Sequence, residues 1–198
     1  MSDREIRMFA CELRAAGNDE ATKIEGYGSI FNIRSDNLGG FREVVAPGAF
    51  DDVLGDDVRA LWNHDPNIIL GRTASGTLAL SVDEKGLSYV IDAPQTQLVR
   101  DMVIAPMKRG DVNQSSFAFR VARGGEEWDE DDDGVIVRTI TRFARLFDVS
   151  PVTIPAYPDA SSAVRSLQAW REARDSGALK KAIAQRGYRQ RIIDLIRP

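Results

Sequence analysis

The chain of 198 residues contains one cysteine, one histidine and no long apolar run. Cys11 alone cannot form an internal disulfide, so a reducing compartment is its natural setting. One histidine, His64, and one distant thiol do not make a zinc site, which draws on three or four such ligands. No apolar stretch approaches the roughly 18 residues that cross a bilayer. The opening "MSDREIRMF" is charged where a secretory signal would be apolar. Excess basic charge is also missing. A net charge of −4 and a pI near 5.2 give no general expectation of nucleic-acid binding. These absences read together as a soluble, cytoplasmic protein without a membrane segment.

What is present suits one good core with a small appendage, at 43% hydrophobic and 28% charged residues. "REIRMFACEL" and "TKIEGYGSIF" alternate apolar and polar residues as half-buried strands do. "FREVV" is a further short strand, and "PGAFDDVL" opens on a proline that suits one or two helical turns. "DVRALWN" is a strand that delivers His64 to a turn made by Asn63, Asp65 and Pro66. "GTLALSV" and "GLSYVIDA", joined by "DEKG", form a hairpin. The principal helix is "TQLVRDMVIAPMKRG", with Leu98, Met102 and Ala105 at helical spacing and Gly110 as terminator. Strands resume at "SSFAFRVA", "GVIVRTI" and "FARLFDVS". The fold class is α+β, mostly antiparallel sheet or barrel with one helix packed on it.

Three segments carry candidate chemistry. His64 follows the apolar end of a strand and is the one group able to trade protons near neutral pH. As a general base it requires a nucleophile, and "NQSSFAF" offers Ser115 and Ser116. In strand alternation Ser115, Phe117 and Phe119 share one face, while Ser116 and Ala118 share the other. If the phenylalanines face the core, Ser116 points outward beside a small neighbour. A histidine base also needs an acid to hold its tautomer and stabilise its charge. Asp148, set among "LF" and "VSPV", is an odd core choice unless something pairs with it. The plain alternatives are a polar surface histidine, a polar strand start and an aspartate capping the turn at Pro151.

"DEDDDGVIVRTI" matches the opening of a calcium loop, with Asp129, Asp131, Asp133 and Gly134 at the right offsets. Its twelfth position is Ile140, where such a loop needs a bidentate glutamate. A solvated acidic hairpin tip that discourages edge pairing is the better reading.

"EGYGSIFN", "VVAPGAF", "LWNHD" followed by "LGR", "MKRGDVNQSSFAF" and "FDVSPVTIPAYP" occur in order over about residues 5 to 160. In this the chain resembles the prohead (capsid maturation) proteases of tailed bacteriophages, relatives of the herpesvirus assemblin proteases. The resemblance implies a mostly antiparallel β-barrel of the assemblin type and a serine endopeptidase that needs no cofactor. It places the base on His64 and the nucleophile on Ser116, with Asp148 in the third role. Ala118 stands where the family usually has glycine, and Asp148 where members often carry glutamate. The oxyanion would draw on backbone amides and a nearby arginine, with Arg72, Arg120 and Arg142 available. The implied substrates are the phage scaffold, or the scaffolding segment of the major capsid protein, and the protease itself, with a possible homo-oligomer. The implied place is the assembling prohead in the host cytoplasm. The rival is a catalytically silent capsid-assembly module that keeps the fold for binding.

Residues 1–160 read as the protease domain and 161–198 as a basic helical extension. The extension holds nine Lys and Arg against three Asp and Glu, a net +6, which leaves −10 on the rest. Val164, Leu167 and Trp170 fall on one helical face there, and "RIIDLIRP" closes it with an apolar cluster.

Overall fold

The computed structural model describes residues 4–9, 13–18, 21–154 and 162–177. It divides into two compact units, Met1–Ala160 and Ser161–Pro198. Cys11 and "RIIDLIRP" lie outside the described residues.

The first unit is built of strands. In chain order they are β1 (Glu5–Phe9), β2 (Leu13–Asn18), β3 (Ala21–Ile30), β4 (Arg42–Val45), β5 (Arg59–Trp62), β6 (Asp65–Arg72), β7 (Leu78–Val82), β8 (Gly86–Asp92), β9 (Gln114–Val121), β10 (Glu126–Glu130), β11 (Ile136–Ile140) and β12 (Phe143–Val152). They form a five-stranded sheet, β1-β9-β12-β5-β6, a four-stranded sheet, β2-β3-β8-β7, and a three-stranded sheet, β10-β11-β4. Most pairings are antiparallel, while β12–β5 and β11–β4 are parallel. The described pairings close no barrel.

The five-stranded sheet sets the site. On β9, Phe117 and Phe119 stack at 4.7 Å, and Phe143 from β12 meets Phe119 at 4.8 Å. Phe50 completes the cluster, 4.5 Å from Phe143. All four rings are buried. Period-two placement of two large rings pins the register of β9, because a one-residue slip would exchange them for serine and alanine.

The hairpin read at "GTLALSV" and "GLSYVIDA" is β7–β8, paired from Leu78↔Ile91 to Val82↔Leu87. The acidic tip joins β10 to β11. Asp131 Oδ1 accepts the amides of Asp133 and Val135, and Arg34 donates to Oδ2 at 2.6 Å. Ile140, the twelfth residue of the calcium-like run, is buried in the core. Among the described residues no group of three His, Cys, Asp or Glu is arranged to hold a metal.

Several expectations need correction. "PGAFDDVL" forms successive three-residue-span turns, Ala49 N–H to Ala46 and Val53 N–H to Phe50, and no regular helix. The helix α1 (97–109) starts where Thr96 caps the Val99 amide, and it ends at Gly110, whose φ of 83° is left-handed. Its middle, Arg100–Ile104, is widened to a π turn in which the Ala105 amide reaches the Arg100 carbonyl. Pro106 cannot donate to the preceding turn, and the widening absorbs the lost bond. Leu98, Met102 and Ala105 are exposed, and the neighbouring stripe of Val99, Val103, Ile104 and Met107 is buried instead. Asp65 and Pro66, read as turn, open β6, while β10 and β11 are the paired strands on either side of the acidic tip.

The second unit contains helix α2 (162–177). Its buried residues are Ala163 and Leu167, with Trp170 half-buried, while Val164 is 44% exposed. The apolar face is therefore one residue removed from the Val164, Leu167 and Trp170 stripe.

Candidate active site

β9 carries both candidate serines, and strand alternation separates them. The Ser115 hydroxyl shares a hydrogen bond of 2.9 Å with the Tyr89 hydroxyl. Ser116 Oγ lies 2.7 Å from His64 Nε2 on the opposite face. The alternation is as read, but Ser116 does not point into open space. It is fully buried, because β1 pairs along β9 with Met8 opposite Ser116. The Ser116 hydroxyl also lies within donating reach of the Arg7 carbonyl, at 2.8 Å.

His64 sits inside the turn, which is shorter than the one expected from Asn63, Asp65 and Pro66. Trp62 pairs with Asp65, so Asn63 and His64 form a two-residue hairpin loop between β5 and β6. Their φ values are 53° and 60°, the left-handed pair of a primed hairpin turn. Asparagine enters this region readily. Histidine does so at some cost, and such strain persists where the surroundings over-determine it. Here they do. Asn63 Oδ1 accepts from the Thr153 amide at 2.8 Å and its hydroxyl at 3.1 Å, and the Asn63 amide donates to the Pro151 carbonyl at 3.0 Å. The loop is thereby tied to the end of β12. Asp65 and Pro66 belong to β6.

Asp148 reaches the site through a β-bulge. Leu146 pairs with Phe119 and Asp148 with Ala118, two residues of β12 against one of β9, so Phe147 is the extra residue. By strict alternation Leu146 and Asp148 would both face the phenylalanine core. The bulge reverses the parity, and Asp148 joins Ala118 and Ser116 on the other face. From there Asp148 Oδ1 lies 2.5 Å from His64 Nδ1. The Asp148 side chain is 3% exposed and that of His64 11%.

Two further residues meet this aspartate. Ser150, two residues along the same face, donates to Oδ1 at 2.7 Å, and Arg4 donates to Oδ2 at 2.6 Å. Neither was singled out from the sequence. Ser150 lies within "VSPV" at the right parity, which was the available signal, whereas Arg4 is more than a hundred residues away in sequence. The arginines expected near an oxyanion are placed elsewhere. Arg72 is held by Asp57 in a two-pronged pair, Arg142 donates to the Arg123 carbonyl, and Arg120 is exposed on the far half of β9.

β1 is itself anchored by buried charge. Arg7 meets Glu5 at 2.6 Å and Glu43 at 2.9 Å, and Arg138 donates to Glu5, Glu43 and Glu126 at 2.6–3.0 Å. Burial alone would weaken the charged form of Arg138. The hydrogen bond to Glu5 and the charges of Glu43, Glu5 and Glu126 outweigh it and raise the pKa above the ordinary arginine value.

The geometry fixes a proton inventory. With Asp148 ionised, His64 carries its proton on Nδ1, and Nε2 is left as an acceptor facing the Ser116 hydroxyl. An acid, an imidazole and a hydroxyl in that sequence can move one proton off the hydroxyl.

The family model of the caudovirus prohead serine protease matches residues 9–173. No curated protein and no solved structure matches the chain. The matched span covers most of the chain and all three relay residues, so the chain belongs to the caudovirus prohead serine protease family.

Proposed function

We propose that this protein is an active serine endopeptidase of capsid maturation, with Ser116 as nucleophile, His64 as general base and acid, and Asp148 as orienting acid. The observation that carries the reading is the unbroken contact series Asp148 Oδ1–His64 Nδ1 at 2.5 Å and His64 Nε2–Ser116 Oγ at 2.7 Å. In the reaction Ser116 Oγ attacks a scissile peptide carbonyl while its proton passes to His64 Nε2. The tetrahedral centre collapses, the C–N bond breaks, and His64 returns the proton to the leaving amine. Water, activated by the same imidazole, then releases the acyl group.

The place beside Ser116 Oγ is held by the Arg7 carbonyl. The single proton of Ser116 can point either there or to His64 Nε2, and attack uses the second orientation. Substrates are the scaffold or the scaffolding segment of the major capsid protein, and the protease itself, within the assembling prohead of the host cytoplasm. The kinship with the herpesvirus assemblin proteases and an assemblin-type barrel belong to the same proposal, supported by the motif resemblance. So does the division into a protease domain, 1–160, and a basic extension, 161–198, that docks the enzyme to an acidic partner.

Co-expression with the capsid partner tests the reading. Processing by the wild type, lost in Ser116→Ala, supports it. Full processing by Ser116→Ala refutes it, and a wild type that enters proheads without cleaving anything favours the silent assembly module. Deleting 162–198 should leave a folded enzyme that no longer enters proheads.

A further inference from the structure

We propose that Ser150 is a positioning residue for this relay: its hydroxyl clamps the Asp148 carboxylate in the rotamer that faces His64 and tempers its basicity. The proposal rests on the protease reading and adds a residue that does not touch the reacting atoms.

Ser150 is fully buried on the site face of β12, directly across the strand pair from Ser116. Its Oγ lies 2.7 Å from Asp148 Oδ1. An ionised carboxylate only accepts, so the single hydroxyl proton of Ser150 points at Oδ1. Oδ1 therefore takes two donors, His64 Nδ1–H and Ser150 O–H, while Oδ2 takes Arg4. Rotation of the carboxylate would break all three contacts together. That matters for an aspartate, whose one methylene leaves little slack in reaching the imidazole from a bulged strand.

The charged groups around Asp148 come from three elements. Arg4 approaches from the segment before β1, and His64 from the β5–β6 turn. Arg59 of β5 stands opposite Asp148 in register, but its guanidinium pairs with Asp57 at 3.4 Å. β9 contributes Ala118, which has no charge. Each hydrogen bond to a carboxylate lowers its affinity for a proton. Ser150 thus keeps the shared proton on Nδ1 and limits how strongly Asp148 favours imidazolium. Without it the carboxylate is more basic, the imidazolium is better stabilised, and His64 holds its second proton to higher pH.

A plain structural role is the competing account, since any buried hydroxyl needs a partner. That role changes stability alone. The test uses the full chain carrying Ser150→Ala, Ser150→Thr or Ser150→Val. Threonine and valine share a shape and differ by the hydroxyl, so they separate chemistry from packing. On a cleaved capsid-segment peptide, the alanine and valine variants should lose about 10- to 100-fold in kcat with KM little changed, the scale of groups that act through another residue. Their acid limb should move to higher pH, and threonine should restore both. Wild-type kcat and acid limb in Ser150→Ala, or equal losses in the threonine and valine variants, would overturn the proposal.

A second readout is independent of turnover. His64 is the only histidine, so its ring carbon-bound protons report one titration by NMR. In Ser150→Ala the midpoint should rise relative to the wild type, and an unchanged midpoint sinks the proposal. A raised midpoint in a protein that cleaves nothing would leave Ser150 as a positioning residue and remove the protease reading instead.

Discussion

Tyr89 and Ser115 share a 2.9 Å hydrogen bond on the side of β9 turned away from Ser116. The adjacent hydroxyls thus have separate tasks. Ser115→Ala should retain most processing and lose about 1 kcal/mol of stability, the net worth of one hydrogen bond. Ser116→Ala also gives up a buried hydroxyl contact, so it should lose a similar stability but, unlike Ser115→Ala, lose processing. A gel of the co-expressed capsid partner and a denaturation midpoint for each variant distinguish them, and reversed outcomes would move the nucleophile to Ser115.

The turn that carries His64 places a left-handed backbone at the proposed base. His64→Ala should cost several orders of magnitude in turnover, because members of such a relay act as a unit. His64→Gly should be as inactive yet about 1 kcal/mol more stable than His64→Ala, since glycine enters the left-handed region without penalty. Turnover of the wild type should fall on acidification as the imidazole takes a second proton and ceases to be a base. A flat profile from about pH 5 to 8 would argue against histidine as the base.

Asp148→Asn preserves shape and removes charge. It should lower turnover by about 10⁴-fold if the aspartate sets the tautomer and steadies the imidazolium. Circular dichroism should stay native while the rate of fluorophosphonate labelling collapses. Near-normal labelling would reduce the site to a Ser116–His64 pair.

Arg138 holds three carboxylates in the cluster that secures β1. Arg138→Met leaves Glu5 and Glu43 sharing Arg7, one buried positive charge short, which should cost about 3–5 kcal/mol. Chemical denaturation measures it directly. A loss below about 1 kcal/mol would mean that the cluster is not desolvated as described.

Acid should loosen the two hairpin tips first. Asp131 has a pKa lowered by the Val135 amide and then by Arg34, and Asp83 one lowered by the Tyr27 hydroxyl and then by the Gly86 amide. A carboxylate whose folded pKa lies below its unfolded one stabilises the fold above the unfolded value and loses that contribution as pH falls through the folded one. Hydrogen exchange at Val135 and Gly86 should therefore accelerate below about pH 4, and Asp131→Asn should make the Val135 response flat.

The sequence by itself determined the strand content around the site, the alternation on β9 and the short list of candidate side chains. Those follow from period-two patterning and from there being only one histidine to serve as a base. Its two adjacent apolar stripes on α1 did not say which would be buried, because both have helical spacing and only the packing partner chooses. It did not reveal that β1 runs beside Ser116, since strand pairing between residues 5–9 and 115–119 is a matter of topology. Least legible was the parity of Asp148. Alternation read from Leu146 sends that aspartate into the phenylalanine core, and only the extra residue at Phe147, accommodated where β12 pairs with β9, turns it toward His64. A bulge carries no fixed local signature, because it is a compromise between two strands whose registers are held elsewhere. Here those holds are Phe119 opposite Leu146 on one side of the bulge and Ser116 opposite Ser150 on the other.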